Sequence, residues 1–329
     1  SRSVMGGRED ERELLQVSTN LYYREYNGHL VPHLTSIYRA MQRRGCGEFI
    51  YLAGDSSLDN KYWLKGWQPA CNGYEDVLSP PQMKQDICYW LNYHLERLGG
   101  SSACCINTAV EATTLGSRSG SCGALYAQDR FIQEHITEND TLIVSVGGND
   151  IALMPTPCTI AAMANLVCCT TTGCIRRGVG LGLPYFRWMF KSRVQAYIEQ
   201  LISLRKPKQV LVCMIYFPDE AAVDSWAGLA LCCLGYNTYP QKLQTAISKV
   251  YETATARIDL RATQTLPVPL HMTLDGKTSS DYVARVEPSI SGGEKMALAF
   301  LERMGKRGGG ALDPTALDPT SVSISTHRL

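Results

Sequence analysis

The order in which short apolar runs and longer amphipathic stretches follow one another is what most restricts the fold of this chain. Five runs stand out: Phe49-Ile50-Tyr51-Leu52-Ala53, "ACCINTAV" from Ala103, "TLIVSV" from Thr141, "KQVLVCMIYFP" from Lys208 and the proline-weakened "LPVPLHM" from Leu266. Each is short and nearly continuous, the pattern of a strand buried on both faces. The stretches "LTSIYRAMQRRG", "QMKQDICYWLNYHLERLGG", "PYFRWMFKSRVQAYIEQLISLRK", "TYPQKLQTAISKVYETATARIDLR" and "GEKMALAFLERMG" carry apolar residues at helical spacing, and several stop at glycine. Strands alternating with helices imply a parallel sheet with helices on both faces. In such sheets ligands bind beyond the carboxyl ends of the strands.

Two of those ends are chemically unusual. The first run finishes in Gly54-Asp55-Ser56-Ser57 and the third in Gly147-Gly148-Asn149-Asp150. A turn followed by a helix N-cap uses the same residue types, so each cluster alone has a purely local explanation. Two such clusters on the same edge of one sheet point to a site.

Composition narrows the classes of function. With 32 Lys and Arg against 31 Asp and Glu, the formal charge is +1, which gives no footprint for nucleic acid or anionic membranes. No segment reaches the eighteen or so apolar residues of a membrane span. Thirteen cysteines include the adjacent pairs Cys104-Cys105, Cys168-Cys169 and Cys232-Cys233, but no spacing that reads as a zinc site. Cys213 reads as a small buried hydrophobe, whereas Cys158, Cys168, Cys169 and Cys174 crowd one segment and could pair in an oxidising compartment. The chain starts without Met and without a secretory signal. It reads as soluble, with a targeting segment that could precede Ser1 and with the compartment open. Neither a metal nor an organic cofactor is called for.

The expected organisation is an N-terminal lead-in and helix over residues 1–48, one domain over 49–305, and a disordered or partner-bound tail over 306–329 with its tandem "ALDPT" repeat. An insert at 154–183 interrupts the strand–helix alternation and could form a lid or a partner surface.

"GDSSLDNK" together with "SVGGNDIAL" resembles the first and third signature blocks of the GDSL/SGNH hydrolases. That resemblance spans about residues 49 to 304 and implies a flavodoxin-like three-layer α/β/α sandwich with a five-stranded parallel sheet. It further implies that Ser56 is the nucleophile, with Gly54, Asp55, Gly147, Gly148 and Asp150 supporting the two turns. Asn149 is implied as a side-chain donor to the oxyanion, an interaction worth roughly 3–4 kcal/mol in the transition state. The family's second block supplies a backbone donor from a glycine after the second strand, and Gly116 is the glycine within reach. The substrate class implied is a small-molecule or glycan ester.

The fourth block departs from the family. Where the pattern is Asp-x-x-His before the last helix, "DYVARVEPSISGGEKMA" puts Ala284 and Glu287. A serine hydroxyl needs a base poised near neutral pH, and an ordinary glutamate at about 4.3 is a poor one unless burial raises it. Two substitutes are open. Glu287 could serve, with Arg285 or Lys295 as a charge partner. His271 could serve, oriented by Asp275 or Asp281. Glu111, in "VEATTLGSR", is expected to pair with Arg118. The first reading is a serine ester hydrolase or acyltransferase with an atypical base. The second is a degenerate, catalytically inert domain of the same fold kept as a binding or assembly module, with protein partners engaging the insert or the tail.

Overall fold

The computed structural model describes residues 16–23, 26–98, 102–118 and 125–306. Five strands form one parallel sheet: β1 (Glu48–Gly54), β2 (Ala103–Asn107), β3 (Thr141–Ser145), β4 (Gln209–Met214) and β5 (Gln264–Pro269), in the spatial order β2-β1-β3-β4-β5. The flavodoxin-like three-layer sandwich is thus the observed architecture. β1 to β4 are buried almost throughout, which is why their sequences are continuous apolar runs rather than alternating ones. β5 is an edge strand, and there Pro267 and Pro269 are tolerated because the sheet asks for hydrogen bonds on one side only.

Nine helices carry the argument: α1 (Val31–Arg43), α2 (Ile87–Arg97), α3 (Ala127–His135), α4 (Pro157–Cys168), α5 (Thr172–Arg176), α6, α7 (Gly228–Cys233), α8 (Pro240–Thr253) and α9 (Ile290–Arg303). Helix α6 is continuous from Leu183–Arg187 through a π-helical turn, Trp188–Arg193, into Val194–Leu201. α2 and α9 pack on each other against one face of the sheet. α1, α3, α6 and α8 form the other layer, each in contact with the next. Leu34, Ile37 and Met41 of α1 belong to the same core as the sheet. The insert is helical: Thr156 caps α4 by accepting from the Thr159 N–H at 3.1 Å, Thr171 caps α5 through the Cys174 N–H, and both helices pack on the α6–α8 layer. The described cysteines are unpaired thiols, with Cys213 buried in β4 as expected. No described helix is long and apolar enough to cross a membrane. Residues 1–15 and 24–25 of the expected lead-in, and the tail after 306 with its repeat, lie outside the described residues.

The tightest point of the sheet is where β1 meets β3. Gly54 is registered with Ser145, and a Cβ on Gly54 would stand 2.1 Å from the Ser145 carbonyl oxygen. Any side chain there forces backbone to move. Arg118 closes the same corner from the other side. Its guanidinium is buried and donates to the Gly54 carbonyl, to the Tyr197 hydroxyl at 2.8 Å and to Asp129. Gly54→Ala is expected to cost at least about 2 kcal/mol, by overpacking against a backbone atom that cannot rotate away. The shift in the urea unfolding midpoint measures it, and a change below about 0.5 kcal/mol would show that the corner yields.

Candidate active site

The corner just described delivers Ser56. Past Gly54 the chain turns sharply: the Asp55 N–H donates to the Ser145 carbonyl at 3.3 Å, and the Asp55 carbonyl accepts from Leu58 and Asp59, each at 3.0 Å. Asp55 Oδ1 accepts the Ser57 N–H at 3.0 Å, and the Ser57 and Ser145 hydroxyls lie 2.7 Å apart. Asp55 and Ser57 are therefore spent on holding the turn. Burial pushes the Asp55 carboxyl up to about 6. Ser56 is left half-buried at the apex, and its backbone N–H has no acceptor among the described residues.

Glu287 reaches Ser56 from a second tight turn. Val283 pairs with Glu287 in a two-residue antiparallel ladder, and the loop between them places Ala284 at φ 48° and Arg285 at φ 68°. Two successive non-glycine residues in the left-handed region cost on the order of 1–3 kcal/mol each. Side-chain bonds hold them there. The Arg285 guanidinium donates to the Asp219 carbonyl at 3.1 and 3.2 Å and to Asn237 at 2.9 Å, the Asp219 N–H returns to the Arg285 carbonyl, and the Ser225 hydroxyl donates to the Ala284 carbonyl. Arg285 is thus committed away from Glu287, as is Lys295, which pairs with Asp281 at 2.6 Å.

The result is a direct contact: the Ser56 hydroxyl donates to Glu287 Oε1 at 3.3 Å. Glu287 is 2% exposed, and its Oε2 is buried with no hydrogen-bond partner among the described residues. Burial pushes its carboxyl up to about 8. The Ser56 hydroxyl and Trp226 pull it down, while Asp55 and, more weakly, Glu111 add like-charge repulsion.

Asn149 completes the group. It opens a short helix, Asn149–Ala152, after Gly147, whose φ of 104° and whose contact with the Phe190 ring both demand glycine. Its amide donates one N–H to the Thr113 carbonyl at 3.0 Å, which fixes the plane of the amide and leaves the second N–H uncommitted. Asp150 ties the neighbouring loop down by accepting from the Leu115 N–H at 2.7 Å and the Gly116 N–H at 3.2 Å. The Gly116 N–H is therefore spent on Asp150, and Gly116 lines no cavity beside Ser56. Ala112 does line one, at φ 56°, in the loop after β2. A left-handed alanine carries no sequence signal, whereas a glycine does.

His271 is not brought to the site. The chain turns at the end of β5 into a short helix, Leu270–Thr273, and the ring packs against Phe217 and Tyr251. Burial lowers its pKa to about 4. Asp275 caps its own turn and Asp281 pairs with Lys295, so neither orients the ring. No histidine among the described residues lines either cavity at Ser56, and His327 lies outside the described residues.

Two cavities meet at Ser56, Asn149, Glu287 and Trp226, which line both. One is a vestibule of about 410 Å³ rimmed by Tyr26, Tyr62 and Trp63, whose rings stand 4.7 and 5.2 Å apart in sequence. The other is a chamber of about 130 Å³ with largely apolar walls. Beside the vestibule lies a buried ion cluster. Lys61 pairs with Asp59 at 2.5 Å and with Glu111 at 3.1 Å, and Glu111 accepts the Asn27 N–H at 2.6 Å. Burial disfavours the Lys61 ammonium, but the two carboxylates outweigh it and raise its pKa. The expected Glu111–Arg118 pair is not formed: Arg118 takes Asp129 and Glu111 takes Lys61. Among the described residues no cluster of His, Cys, Asp or Glu is arranged to hold a metal ion.

Sheet, serine turn and Asn-Asp turn together form a three-layer α/β/α fold with both polar turns at one edge of the parallel sheet. No protein-family model matches the sequence, and no curated relative matches it. Among solved structures, a point variant of an acetyl xylan esterase from Geobacillus stearothermophilus is 13% identical, with 79% of this chain and 96% of that one covered and a TM-score of 0.43. A lipase/acylhydrolase from Enterococcus faecalis is 12% identical, covering 80% and 100%, with a TM-score of 0.39. Phospholipase A1 from Streptomyces albidoflavus is 12% identical, covering 79% and 98%, with a TM-score of 0.36.

Two stability predictions come from these buried charges. Lys61→Met leaves Asp59 and Glu111 buried without a cation and should cost about 3–5 kcal/mol in urea unfolding, whereas a loss under about 1 kcal/mol would mean the carboxylates simply take up protons. Glu287 has a folded pKa raised above its unfolded value, so its protonation supports the native state below about pH 4.5 and that support is lost as pH rises through about 8. Glu287→Gln should therefore match the parent's melting temperature near pH 4 and exceed it near pH 9, by an amount equivalent to a few kcal/mol. An equal or lower melting temperature near pH 9 would contradict the raised pKa.

Proposed function

We propose that this chain hydrolyses a carboxylic ester with Ser56 as nucleophile and Glu287 as its general base. The observation that carries the reading is the 3.3 Å contact between the Ser56 hydroxyl and a buried carboxylate whose pKa is pushed up to about 8. An exposed glutamate would be too weak to take a serine proton. One held near 8 has the basicity of a good imidazole and needs no third residue to orient it, because the strained turn at Ala284-Arg285 already fixes it.

The steps balance as follows. Ser56 Oγ attacks the ester carbonyl carbon while its proton passes to Glu287 Oε1, leaving a neutral carboxylic acid that suits the buried pocket. The oxyanion takes the Ser56 N–H, the second N–H of Asn149 and, from the loop after β2, the Ala112 N–H. Collapse expels the alcohol, which takes the proton back from Glu287, and the acyl group stays on Ser56. Water entering through the vestibule then gives a proton to Glu287 and attacks the acyl-enzyme, and Ser56 recovers its proton as the acid leaves. An alcohol in place of that water would make the same pair an acyltransferase. The inert-module reading expects Glu287 to be tied to a cation and turned from Ser56, and the contact between the two side chains speaks against it.

The hydrolysis rate should follow the ionised fraction of Glu287, with kcat/KM rising about tenfold per pH unit below a midpoint near 8. Glu287→Gln should lower kcat by about 10²–10⁴ with the fold intact, and Asn149→Ala by about 10²–10³. A His271→Ala variant should retain parental activity. Loss of activity in that variant alone, or a pH profile with its midpoint below about 5, would refute Glu287 as the base.

A further inference from the structure

The two cavities at Ser56 differ in a way that assigns the two halves of the ester. We propose that the substrate is the ester of a medium-length, unbranched acyl group of about six carbons, with the acyl chain seated in the chamber and the alcohol in the vestibule. This deepens the hydrolase reading and rests on it.

The chamber is the acyl site because of what lines it. Its walls come from Met163 and Leu166 of the insert, Phe190 of α6, Leu231 of α7, and Ile247 and Val250 of α8. Ser56, Asn149 and Glu287 are polar groups it shares with the vestibule, and the rest of its wall is largely apolar. A hydrocarbon gains there what a hydroxylated alcohol would lose through unpaired hydroxyls. The vestibule has the opposite character. It is wider, it is rimmed by exposed Tyr26 and Tyr62, and it is the side from which hydrolytic water can arrive and the leaving alcohol can depart. The base lines both, so it can serve attack from one side and leaving-group protonation on the other.

Size sets the chain length. At about 130 Å³ the chamber is close to the roughly 150 Å³ apolar cavity that accepts one benzene, about six carbon atoms. Acetyl would leave it largely empty. A chain of twelve or more carbons would have to force the insert away from α7 and α8. The role of the insert follows: α4 is the wall that gives the chamber its depth, and the π turn in α6 swings Phe190 onto Gly147 at the mouth.

The test is a series of p-nitrophenyl esters from acetate to laurate. In the parent protein kcat/KM should rise about fourfold per methylene, on the order of 10² in all from acetate to hexanoate, and then level or fall. Ala246→Phe fills the chamber from α8 and should lower hexanoate turnover at least about tenfold while changing acetate less than about threefold. Ala230→Trp does the same from the half-buried rim, where a bulky side chain is more easily folded in. A parent that prefers acetate, or variants that depress every ester alike, would overturn the assignment. Calorimetric binding of hexanamide against acetamide to the Ser56→Ala protein separates this from the chemistry. Tighter hexanamide binding, weakened in Ala246→Phe, upholds the chamber even should no ester be turned over and the Glu287 reading fall. Equal binding of the two amides overturns it whatever the esterase result.

Discussion

The site rests on the contact between the ends of β1 and β3. Because Gly54 has no Cβ, the two strand ends close to a distance that no other residue permits, and the Asp55 N–H reaches across to the Ser145 carbonyl. Arg118 then seals the Gly54 carbonyl with a buried guanidinium whose charge is met by Asp129. Everything that distinguishes Ser56 from an ordinary N-cap serine follows from that closure. The turn is too tight for Ser56 to bend back onto the backbone, the neighbouring Asp55 and Ser57 side chains are used up in holding it, and the hydroxyl projects beyond the sheet. Asn149 leaves the adjacent strand at the same height, so the Ser56 hydroxyl and the Asn149 amide share one edge without any long-range arrangement.

A carboxylate in place of an imidazole changes the working conditions of such a pair. Burial supplies the basicity that histidine has by nature, but it does so by making the charged form unfavourable, so the protonated form of Glu287 predominates at neutral pH. The same burial keeps the product of proton transfer, a neutral acid, in the environment it prefers. The cost falls on the backbone at Ala284 and Arg285. The hydrogen bonds from Arg285 to Asp219 and Asn237 are what make that turn persist. Arg285 thus holds the carboxylate in position without neutralising it.

How far the sequence reveals this depends on whether a feature is local. Uninterrupted apolar runs gave away β1 to β4, and the polar clusters after β1 and β3 gave away Ser56 and Asn149, because strand ends in a parallel sheet are where side chains meet. The proline-weakened β5 was legible as a strand, and only the sheet order shows that it lies at the edge. Glu287 could be named as a replacement for histidine, but its environment could not. The burial that raises it is set by a fold that brings it against Ser56, 231 positions away in the chain. Gly116 is the glycine within reach, but its N–H is held by Asp150, and the residue of that loop lining a cavity beside Ser56 is a left-handed alanine, Ala112. Glu111 and Arg118 sit seven residues apart and look like partners, yet the loop after β2 points them to opposite sides, one to Lys61 and one to Asp129. The insert's composition, rich in Ala, Thr, Cys and Gly, concealed a helix whose side chains Met163 and Leu166 line the chamber.

The central claim, that a buried carboxylate activates Ser56, is tested most directly by the rate at which a fluorophosphonate labels that serine as pH is raised from about 6 to about 10. This account predicts stoichiometric labelling at Ser56, with a rate that rises through a single ionisation near 8 and a rise that vanishes in Glu287→Gln. A folded protein that is not labelled at any pH, or one labelled at a pH-independent rate with and without Glu287, would contradict it.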